Sequence, residues 1–267
     1  SYEVLYRKWR PQAFDDVAGQ EHVTATLRNA VKSGRIAHAY LFAGPRGTGK
    51  TSTGRILAKA INCESPEAGE PCNHCPSCEN YLAGRALDLV EMDAASNRGI
   101  EDIRELRDRI GIAPGSSRYR VYLIDEVHQL TSAAFNALLK TLEEPPPHAV
   151  FILATTEAHE VPATIASRCQ RFDFRRITLP AIVRRLREIA VAEEIEAVDE
   201  ALAQIGRQAT GSLRDAVNLM DQIATQSGRR LTRETVQDVL GLTGDARTRE
   251  VARHLLAGDL GKTLEVL

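Results

Sequence analysis

The sequence predicts an α/β protein: a parallel sheet with helices on both faces, an inserted four-cysteine module, a small all-α domain and the start of a further helical domain. Through the first two-thirds of the chain, apolar strand-like runs alternate with helical patterns, as in a parallel sheet covered by helices. One of these runs is followed by a glycine-rich loop, and another is followed by a pair of acidic residues. Beyond Thr178-Leu179-Pro180 the pattern is helix-rich with no strong strand.

Composition excludes several classes of protein. The 267 residues are 43% hydrophobic and 26% charged, which is typical of a globular protein of two or three domains. No apolar run reaches membrane-spanning length, so no membrane partner is expected. The net charge of -2 and the 5% aromatic content give no general attraction to nucleic acid and no base-stacking surface. The chain opens at Ser1 without Met, which is typical of a processed or cloned fragment.

A phosphate-binding loop is the most informative motif. The segment Gly44-Pro45-Arg46-Gly47-Thr48-Gly49-Lys50-Thr51 fits G-x-x-x-x-G-K-[ST], between the apolar run 39–43 and a helical pattern from Thr51 to Ile61. Its glycines let backbone N–H groups face a phosphate at a helix N-terminus. Lys50 would contact the β- and γ-phosphates of ATP, and Thr51 would hold Mg²⁺. We include Ser52 among the residues expected to bind the nucleotide.

An acidic pair follows the buried-strand pattern Val121–Ile124. Asp125 at the end of this strand is expected to hold Mg²⁺, and Glu126 to orient or deprotonate the attacking water. Solvated acids at a strand end are the plainer alternative. The phosphate-binding loop upstream favours the functional interpretation.

Four of the five cysteines form one short cluster, with the spacing C-x8-C-x2-C-x2-C. Thiolates at this spacing can surround Zn²⁺ tetrahedrally, and such a closed shell is structural rather than catalytic. Disulfides are the competing explanation, disfavoured by the adjacent C-x2-C pairs and by the reducing cytosol expected for such an ATPase. His74 could replace one ligand, whereas the distant Cys169 is expected to be a buried thiol. The predicted ligands are Cys63, Cys72, Cys75 and Cys78.

The remaining elements follow from periodicity. Strands are predicted at 87–92, 121–124, 149–154 and 170–174, and helices at 99–110 and 132–143, the latter ended by Pro145-Pro146-Pro147. Further helices are predicted at 181–193, 199–209, 212–225 and 233–240. The expected domains are an ATPase domain over 1–177 with its zinc module at 63–78, a helical lid over 178–241, and the start of a helical collar over 242–267.

These residues together resemble the AAA+ ATPases and, among them, the gamma/tau family of bacterial DNA polymerase III clamp-loader subunits. Four segments carry the resemblance, which covers essentially the whole chain: residues 6–11 (YRKWRP), the cysteine module behind the phosphate-binding loop, residues 135–145 (FNALLKTLEEP), and Ser167-Arg168-Cys169. The phosphate-binding loop alone would identify only a broad class. The resemblance implies that the full protein continues past Leu267 into an oligomerising collar.

The resemblance also implies roles for further residues. Thr155 matches sensor 1, near the γ-phosphate, with Thr156 as the alternative one residue on. Arg168 matches the arginine finger, which acts on ATP bound to a neighbouring subunit, and Arg214 matches sensor 2. A guanidinium suits such roles because it is always charged and can bind two phosphate oxygens. The part that covers adenine corresponds to the opening segment, including Arg10, Pro11 and Val17.

The function implied is that of a cytoplasmic, nucleoid-associated clamp-loader motor. ATP binding would assemble several subunits into a ring that opens a sliding clamp, and primer-template DNA would trigger hydrolysis and clamp release. DNA contacts in this family go to backbone phosphates, so they are sensitive to salt and indifferent to sequence. The candidates here are Asn97, Arg98, Arg104 and Lys140.

Two alternatives remain open from the sequence. One is another AAA+ DNA-processing machine, such as a Holliday-junction motor or an initiator, against which the cysteine module and Ser-Arg-Cys argue. The other is a scaffold subunit that does not hydrolyse ATP, against which the intact Lys50, Thr51, Asp125 and Glu126 argue.

Overall fold

A computed structural model describes residues 3–115, 117–241 and 253–258 of the chain. Apart from 253–258, the predicted start of a collar at 242–267 lies outside the described residues. Within the described part, no helix is both long and apolar enough to cross a membrane.

The main sheet has five parallel strands in the order β2-β3-β4-β1-β5. Parallel strands place all their carboxyl ends at one edge, so the loops that follow β1, β3 and β4 lie side by side. The predicted parallel sheet is therefore confirmed. Its strands are β1 (Ala39–Ala43), β2 (Leu89–Asp93), β3 (Arg120–Asp125), β4 (Ala149–Thr155) and β5 (Gln170–Asp173).

Between residues 3 and 241, the described part of the chain contains eleven α-helices of at least four residues, in addition to short 3-10 turns. Those before the C-terminal helical unit are α1 (Leu5–Lys8), α2 (Glu21–Ser33), α3 (Lys50–Ile61), α4 (Pro76–Leu82), α5 (Ile100–Ile110), α6 (Ser132–Glu143) and α7 (Ala163–Ala166). Those of the C-terminal helical unit are α8 (Leu179–Ala192), α9 (Asp199–Gln208), α10 (Leu213–Ser227) and α11 (Arg233–Val239).

Each face of the sheet has its own apolar core. On one face, Tyr122 and Phe151 of the central strands stack at 5.3 Å and pack with buried side chains of α5 and α6. On the other face, Phe42 and Ile152 pack with α2 and α3. Strands β1, β3 and β4 are almost fully buried because helices cover both faces, as their continuous apolar runs predict.

The C-terminal helical unit has a third core, built by α8 to α11. Leu5 of the opening segment and Ile177 before α8 are buried in the same core. The backbone N–H of Leu5 donates to Asp221 Oδ2 at 3.1 Å, and the Trp9 indole donates to Glu193 Oε1 at 2.7 Å. The opening segment is thus attached to the C-terminal helices, across the cavity described below.

Two differences from expectation have a clear physical cause. The second strand begins at Leu89 rather than 87: the Asp88 side chain accepts N–H bonds from Gly115 and Ser117 at 3.2 and 3.1 Å, and Leu87 is 86% exposed. Local apolar periodicity does not reveal these hydrogen bonds, which join Asp88 to residues distant in the sequence. The helical unit also contains a two-residue parallel pair, β6 (Glu196–Ala197) with β7 (Arg230–Leu231). Two residues are too few for a period-2 pattern to be recognised.

Candidate nucleotide site and cysteine cluster

A cavity of about 290 Å³ opens at the carboxyl edge of the sheet, between the sheet and the C-terminal helices. Its walls come from four parts of the chain: the opening segment, the phosphate-binding loop with the start of α3, the end of β3, and α8 with α10. Among the predicted site residues, those lining it are Arg10, Pro11, Val17, Arg46, Gly47, Thr48, Gly49, Lys50, Thr51, Ser52, Asp125, Glu126 and Arg214.

Tight contacts determine the shape of the phosphate-binding loop. A Cβ at Gly44 would lie 2.4 Å from the carbonyl oxygen of Phe174, so no larger residue fits there. Gly47 has φ +72°, and a Cβ there would lie 1.9 Å from Ser212 Oγ, just before α10. The N–H of Leu213 donates to Gly47 O at 3.1 Å, so the helical unit is attached directly to this loop. Gly44 and Pro45 lie on a second, more open cavity beside the first.

Lys50 and Thr51, at the start of α3, have the contacts expected of a nucleotide site. Lys50 is 6% exposed, and Nζ donates to Gly44 O and Pro45 O, both at 2.7 Å. Burial lowers the pKa of Lys50, an effect that Glu126 and Asp125 partly oppose. The Thr51 hydroxyl donates to Asp125 Oδ2 at 2.6 Å, which brings together two oxygen groups of the kind that hold Mg²⁺ beside a triphosphate.

Glu126 has a left-handed backbone, with φ 50° and ψ 43°, which is a costly conformation for a residue other than glycine. Its carboxylate Oε2 accepts the Thr156 hydroxyl at 3.2 Å and lies 3.5 Å from His128 Nδ1. Thr155 is fully buried at the end of β4, and its Oγ1 accepts the Glu157 N–H at 3.0 Å and lies 2.9 Å from His128 Nδ1. Of the two threonines considered for sensor 1, Thr156 contacts the acid directly, and Thr155 is connected to it through His128.

Arg214, near the start of α10, points toward the opening segment. Its guanidinium carbon lies 4.7 Å from the centre of the Tyr6 ring, a cation–π distance, and both residues line the cavity. The arginine of the lid, the opening segment and the phosphate-binding loop therefore meet around one space.

Arg168 lies elsewhere. It follows α7, and its side chain is 35% exposed. Nη2 bonds Glu143 Oε1 at 2.7 Å, and Nη1 donates to Thr164 O at 2.7 Å. Arg168 does not line the cavity of its own chain.

The four clustered cysteines come together in space. Their sulfur atoms all lie within 4.8 Å of one another, and the Sγ atoms of Cys72 and Cys78 are 3.9 Å apart. A tetrahedral zinc with Zn–S bonds of about 2.3 Å has S···S edges of about 3.8 Å, whereas a disulfide requires about 2.05 Å. The donor set therefore fits a four-thiolate metal ion. All four cysteines are free thiols in the structure.

Local backbone geometry builds this cluster. Cys63 directly follows α3, and Cys75 caps α4, with its Sγ accepting the Cys78 N–H at 3.4 Å. The N–H of Cys75 donates to Cys72 Sγ at 3.3 Å. Asn73 has φ 60°, a left-handed turn conformation that asparagine tolerates, so the chain turns between Cys72 and Cys75.

His74 and Cys169 lie outside the group of four clustered sulfur atoms. His74 is exposed and its Nδ1 bonds the Cys72 carbonyl at 2.8 Å, so the alternative in which it replaces a cysteine has no support. Cys169 is half-buried rather than buried, against the core shared with α6, and burial raises its pKa to about 11.

Of the DNA-contact candidates, Asn97 and Arg98 lie just before α5, Arg104 lies on α5 and Lys140 on α6. Thr131 N donates to Arg98 O at 3.0 Å, so the N-termini of α5 and α6 are adjacent. Asn97 donates to Asp93 O at 3.1 Å, and Arg104 is paired with Glu101 at 2.5 Å. Arg98 and Lys140 are exposed, with Lys140 two turns further along α6.

Sequence reasoning missed several residues of the site. Gln20 is fully buried and ties three segments together: Nε2 donates to Thr48 O and Arg175 O, and Oε1 accepts Arg175 N–H. Tyr6 and Glu143 belong to two of the segments that carry the family resemblance, but no role was predicted for either residue. His128 was missed, although its position two residues after Glu126 was a usable signal.

Comparison with known structures shows the fold class. The structure superposes on the Holliday junction branch migration motor RuvB of Thermotoga maritima with a TM-score of 0.65, at 20% identity, covering 93% of this chain and 79% of RuvB. At this identity the likeness concerns the fold alone. Together with the phosphate-binding loop, the acid pair and the helical lid, it defines an AAA+ protein.

Sequence comparison shows the family. Residues 19–178 match the family described as DNA polymerase III, delta subunit, and residues 181–228 the DNA polymerase III clamp loader subunit, ATPase lid domain. The chain is 52% identical over 264 residues to DNA polymerase III subunit tau of Bacillus subtilis, covering 99% of this chain and 45% of that protein. It is 42% identical to DNA polymerase III subunit gamma of Buchnera aphidicola (Acyrthosiphon pisum), covering all of this chain and 74% of that protein.

The chain thus belongs to the DNA polymerase III gamma/tau family, as its motifs predicted. It spans less than half the length of several relatives, including 38% of the subunit tau of Escherichia coli, to which it is 49% identical over 245 residues.

Proposed function

We propose that this chain is the ATP-driven motor part of a bacterial clamp-loader subunit. It binds and hydrolyses ATP in an oligomeric ring, and the ring opens a sliding clamp and loads it onto primed DNA during replication. The observation that carries the proposal is the contact between Thr51 Oγ1 and Asp125 Oδ2 at 2.6 Å, because it joins the phosphate-binding loop to the acid pair at one edge of the sheet.

ATP and Mg²⁺ are the proposed cofactors of the cavity. The N–H groups of Gly47, Gly49 and Lys50 would hold the phosphates at the start of α3, with the Lys50 ammonium on the β- and γ-phosphates. Mg²⁺ would take Thr51 and, through water, Asp125. Glu126 would orient or deprotonate the attacking water. Arg10, Pro11 and Val17, which also line the cavity, would cover adenine.

Three groups would report the nucleotide to the rest of the assembly. Arg214 would bind the γ-phosphate from the lid, and its helix already contacts Gly47. Thr155, with Thr156 beside it, would act as sensor 1 at the end of β4. Arg168 would reach the ATP of the neighbouring subunit, which fits its exposure and its position away from its own cavity.

Zn²⁺ is the proposed occupant of the cysteine cluster, in a structural role. Four thiolates leave no open position for water, so no catalytic role follows. The metal would hold the segment between α3 and α4 as a folded module on the back of the nucleotide-binding helix.

The proposed partners are other clamp-loader subunits, a sliding clamp and primer-template DNA, in the bacterial cytoplasm. Arg98 and Asn97, at the adjoining N-termini of α5 and α6, are the best-placed of the phosphate-contact candidates. Arg104 and Lys140 would add positive charge along these helices. The ion pair of Arg104 with Glu101 makes Arg104 the less available of the two for a DNA phosphate.

Both alternatives are weaker. A junction motor is supported by likeness of fold at 20% identity, which extends to many AAA+ proteins. A scaffold subunit does not require the buried Lys50 or the bond between Thr51 and Asp125.

The test measures ATP turnover of the assembled complex with and without clamp and primed DNA, for wild type and Glu126→Gln. Wild type should show turnover that clamp and DNA increase. Glu126→Gln should bind ATP normally and hydrolyse it about 10²- to 10⁴-fold more slowly, because water activation is lost while the phosphate and Mg²⁺ ligands remain. Stimulation by junction DNA but not by clamp would favour the junction motor. ATP binding without turnover in the wild type would favour the scaffold.

A further inference from the structure

His128 connects the two strand ends on which hydrolysis would depend. It lies on a 3-10 turn, Val127–Gln129, directly after Glu126, and its side chain is 6% exposed. Its Nδ1 is 2.9 Å from Thr155 Oγ1, at the end of β4, and 3.5 Å from Glu126 Oε2, after β3. One ring nitrogen thus faces both groups.

The two groups that face Nδ1, Thr155 and Glu126, bear on which ring nitrogen carries the proton. A hydroxyl offers one donor and two acceptor positions, and Thr155 Oγ1 already accepts the Glu157 N–H at 3.0 Å. If Nδ1 lacked a proton, its lone pair would face the carboxylate of Glu126. If Nδ1 carries the proton, it donates to Thr155 Oγ1 and lies beside Glu126 Oε2 with favourable electrostatics. The carboxylate therefore favours the Nδ1–H form of the ring.

The two oxygens of Glu126 are consequently in different environments. Oε2 accepts the Thr156 hydroxyl at 3.2 Å and faces His128. Among the residues that the structure describes, Oε1 has no hydrogen-bond partner, so it is the oxygen available to a water molecule. The left-handed backbone of Glu126 needs such support, because neighbouring contacts must hold a residue in a strained conformation.

We propose that His128 is a positioning residue: through Nδ1–H it ties Glu126 to Thr155, so that Oε1 is aimed at the attacking water. His128 does not line the proposed nucleotide cavity. The inference rests on the proposed ATPase function and extends it, since it assigns a role in hydrolysis to a residue outside the phosphate-binding loop and the acid pair.

Two variants distinguish positioning from bulk packing. In His128→Asn, the amide nitrogen occupies nearly the place of Nδ1, so the donor to Thr155 is kept. In His128→Gln, the amide lies one bond further out, and the donor is lost at similar polarity. We expect His128→Gln and His128→Ala to lower kcat in the assembled complex by about 10- to 100-fold. The Kd for ATP should stay unchanged, and His128→Asn should retain most of the activity.

A double-mutant comparison tests whether the effect passes through Glu126. In a Glu126→Gln background, His128→Gln should cause little further loss, because the group that it positions is already disabled. Equal loss in His128→Asn and His128→Gln, full additivity with Glu126→Gln, or a Kd that changes by the same factor as kcat would overturn the proposal. Thermal unfolding of each variant shows which ones fold.

A spectroscopic readout separates this inference from the proposed function. Long-range ¹H–¹⁵N spectra of the histidine rings in the whole chain report which nitrogen carries the proton, whether or not ATP is hydrolysed. We expect His128 to be in the Nδ1–H form and its ring shifts to change in both Thr155→Val and Glu126→Gln. An Nε2–H ring that is insensitive to both substitutions would refute the role of His128. If Lys50→Ala were to leave turnover unchanged, it would instead refute the proposed ATPase site.

Discussion

The cysteine cluster and the nucleotide cavity differ in how their parts are distributed along the chain. The four cysteines lie between residues 63 and 78, and the backbone turns of that one segment bring their sulfur atoms within 4.8 Å. The cavity combines residues from Tyr6 to Val217, contributed by an opening segment, a sheet edge and a helical lid. The cluster is a local structure that a metal can close, whereas the cavity exists only when the whole fold is assembled.

This difference predicts different responses to substitution. Damage to the cluster should reduce stability and leave chemistry in place, because a closed four-thiolate shell takes no part in a reaction. Damage to the distributed site should reduce chemistry and leave most of the fold in place. The following predictions test this contrast, in order of decreasing effect.

The largest effect is expected at Arg168, where the distributed site would extend to a second chain. Arg168→Ala should bind nucleotide normally and lower turnover by about a thousandfold in an assembly of mutant subunits, the scale of a lost arginine finger. The measurement mixes Arg168→Ala with Lys50→Ala subunits, each inactive alone. Interfaces that join an intact Lys50 to an intact Arg168 should recover turnover. Confirmed assembly with no recovery would show that Arg168 has a structural role, such as its bond to Glu143.

The second-largest effect is expected in the cysteine cluster. Cys78→Ser should lose bound zinc, from about one ion per chain, and lower the free energy of unfolding by about 4 kcal/mol, the scale expected for loss of a metal site. ATP binding should persist. Cys169→Ser is the matched control: it also removes a thiol, but one outside the cluster, and should keep the zinc. Metal analysis and urea unfolding measure both variants, and a Cys78→Ser protein with full metal content would contradict the ligand set.

The third effect lies at the contact between loop and lid. Gly47 and Gly34 both have left-handed backbones, with φ +72° and +67°, so alanine costs both about 1–2 kcal/mol of backbone strain. At Gly34 nothing lies within 4 Å of the added Cβ, whereas at Gly47 it would meet Ser212 Oγ. Gly47→Ala should therefore cost a further 1–3 kcal/mol or so and weaken ATP binding. Equal unfolding free energies and equal ATP affinities for the two variants would show that this contact does not matter.

The smallest effect is expected far from both sites. Glu194, after α8, has φ 55°, so glycine there removes a backbone strain of about 1 kcal/mol while adding a smaller entropic cost in the unfolded chain. Glu194→Gly should stabilise the protein by about 0.5 kcal/mol, without change in zinc content or turnover. A destabilised variant in urea unfolding would show that a contact of the Glu194 side chain outweighs the strain.

Expectations from the sequence were most accurate where a local cause acts. The helix Ser132–Glu143 was predicted to the residue, because Thr131 caps its start with a bond to Ala134 N and three prolines follow its end. The helix predicted from Ser212 begins at Leu213, because Ser212 is its cap and its hydroxyl accepts Asp215 N. The start of β2 was misplaced because the contacts of Asp88 come from residues 115 and 117.

The sequence by itself determined the phosphate-binding loop, the acid pair, the cysteine cluster and the parallel sheet, since each depends on residue types at short spacing. Only the tertiary structure decided that the opening segment packs on the helical lid, that Arg214 faces Tyr6, and that His128 stands between Glu126 and Thr155. The last contact joins β3 to β4, which are neighbours in the sheet although their ends are thirty residues apart. The order of strands follows from packing over the whole chain, and no local pattern encodes it.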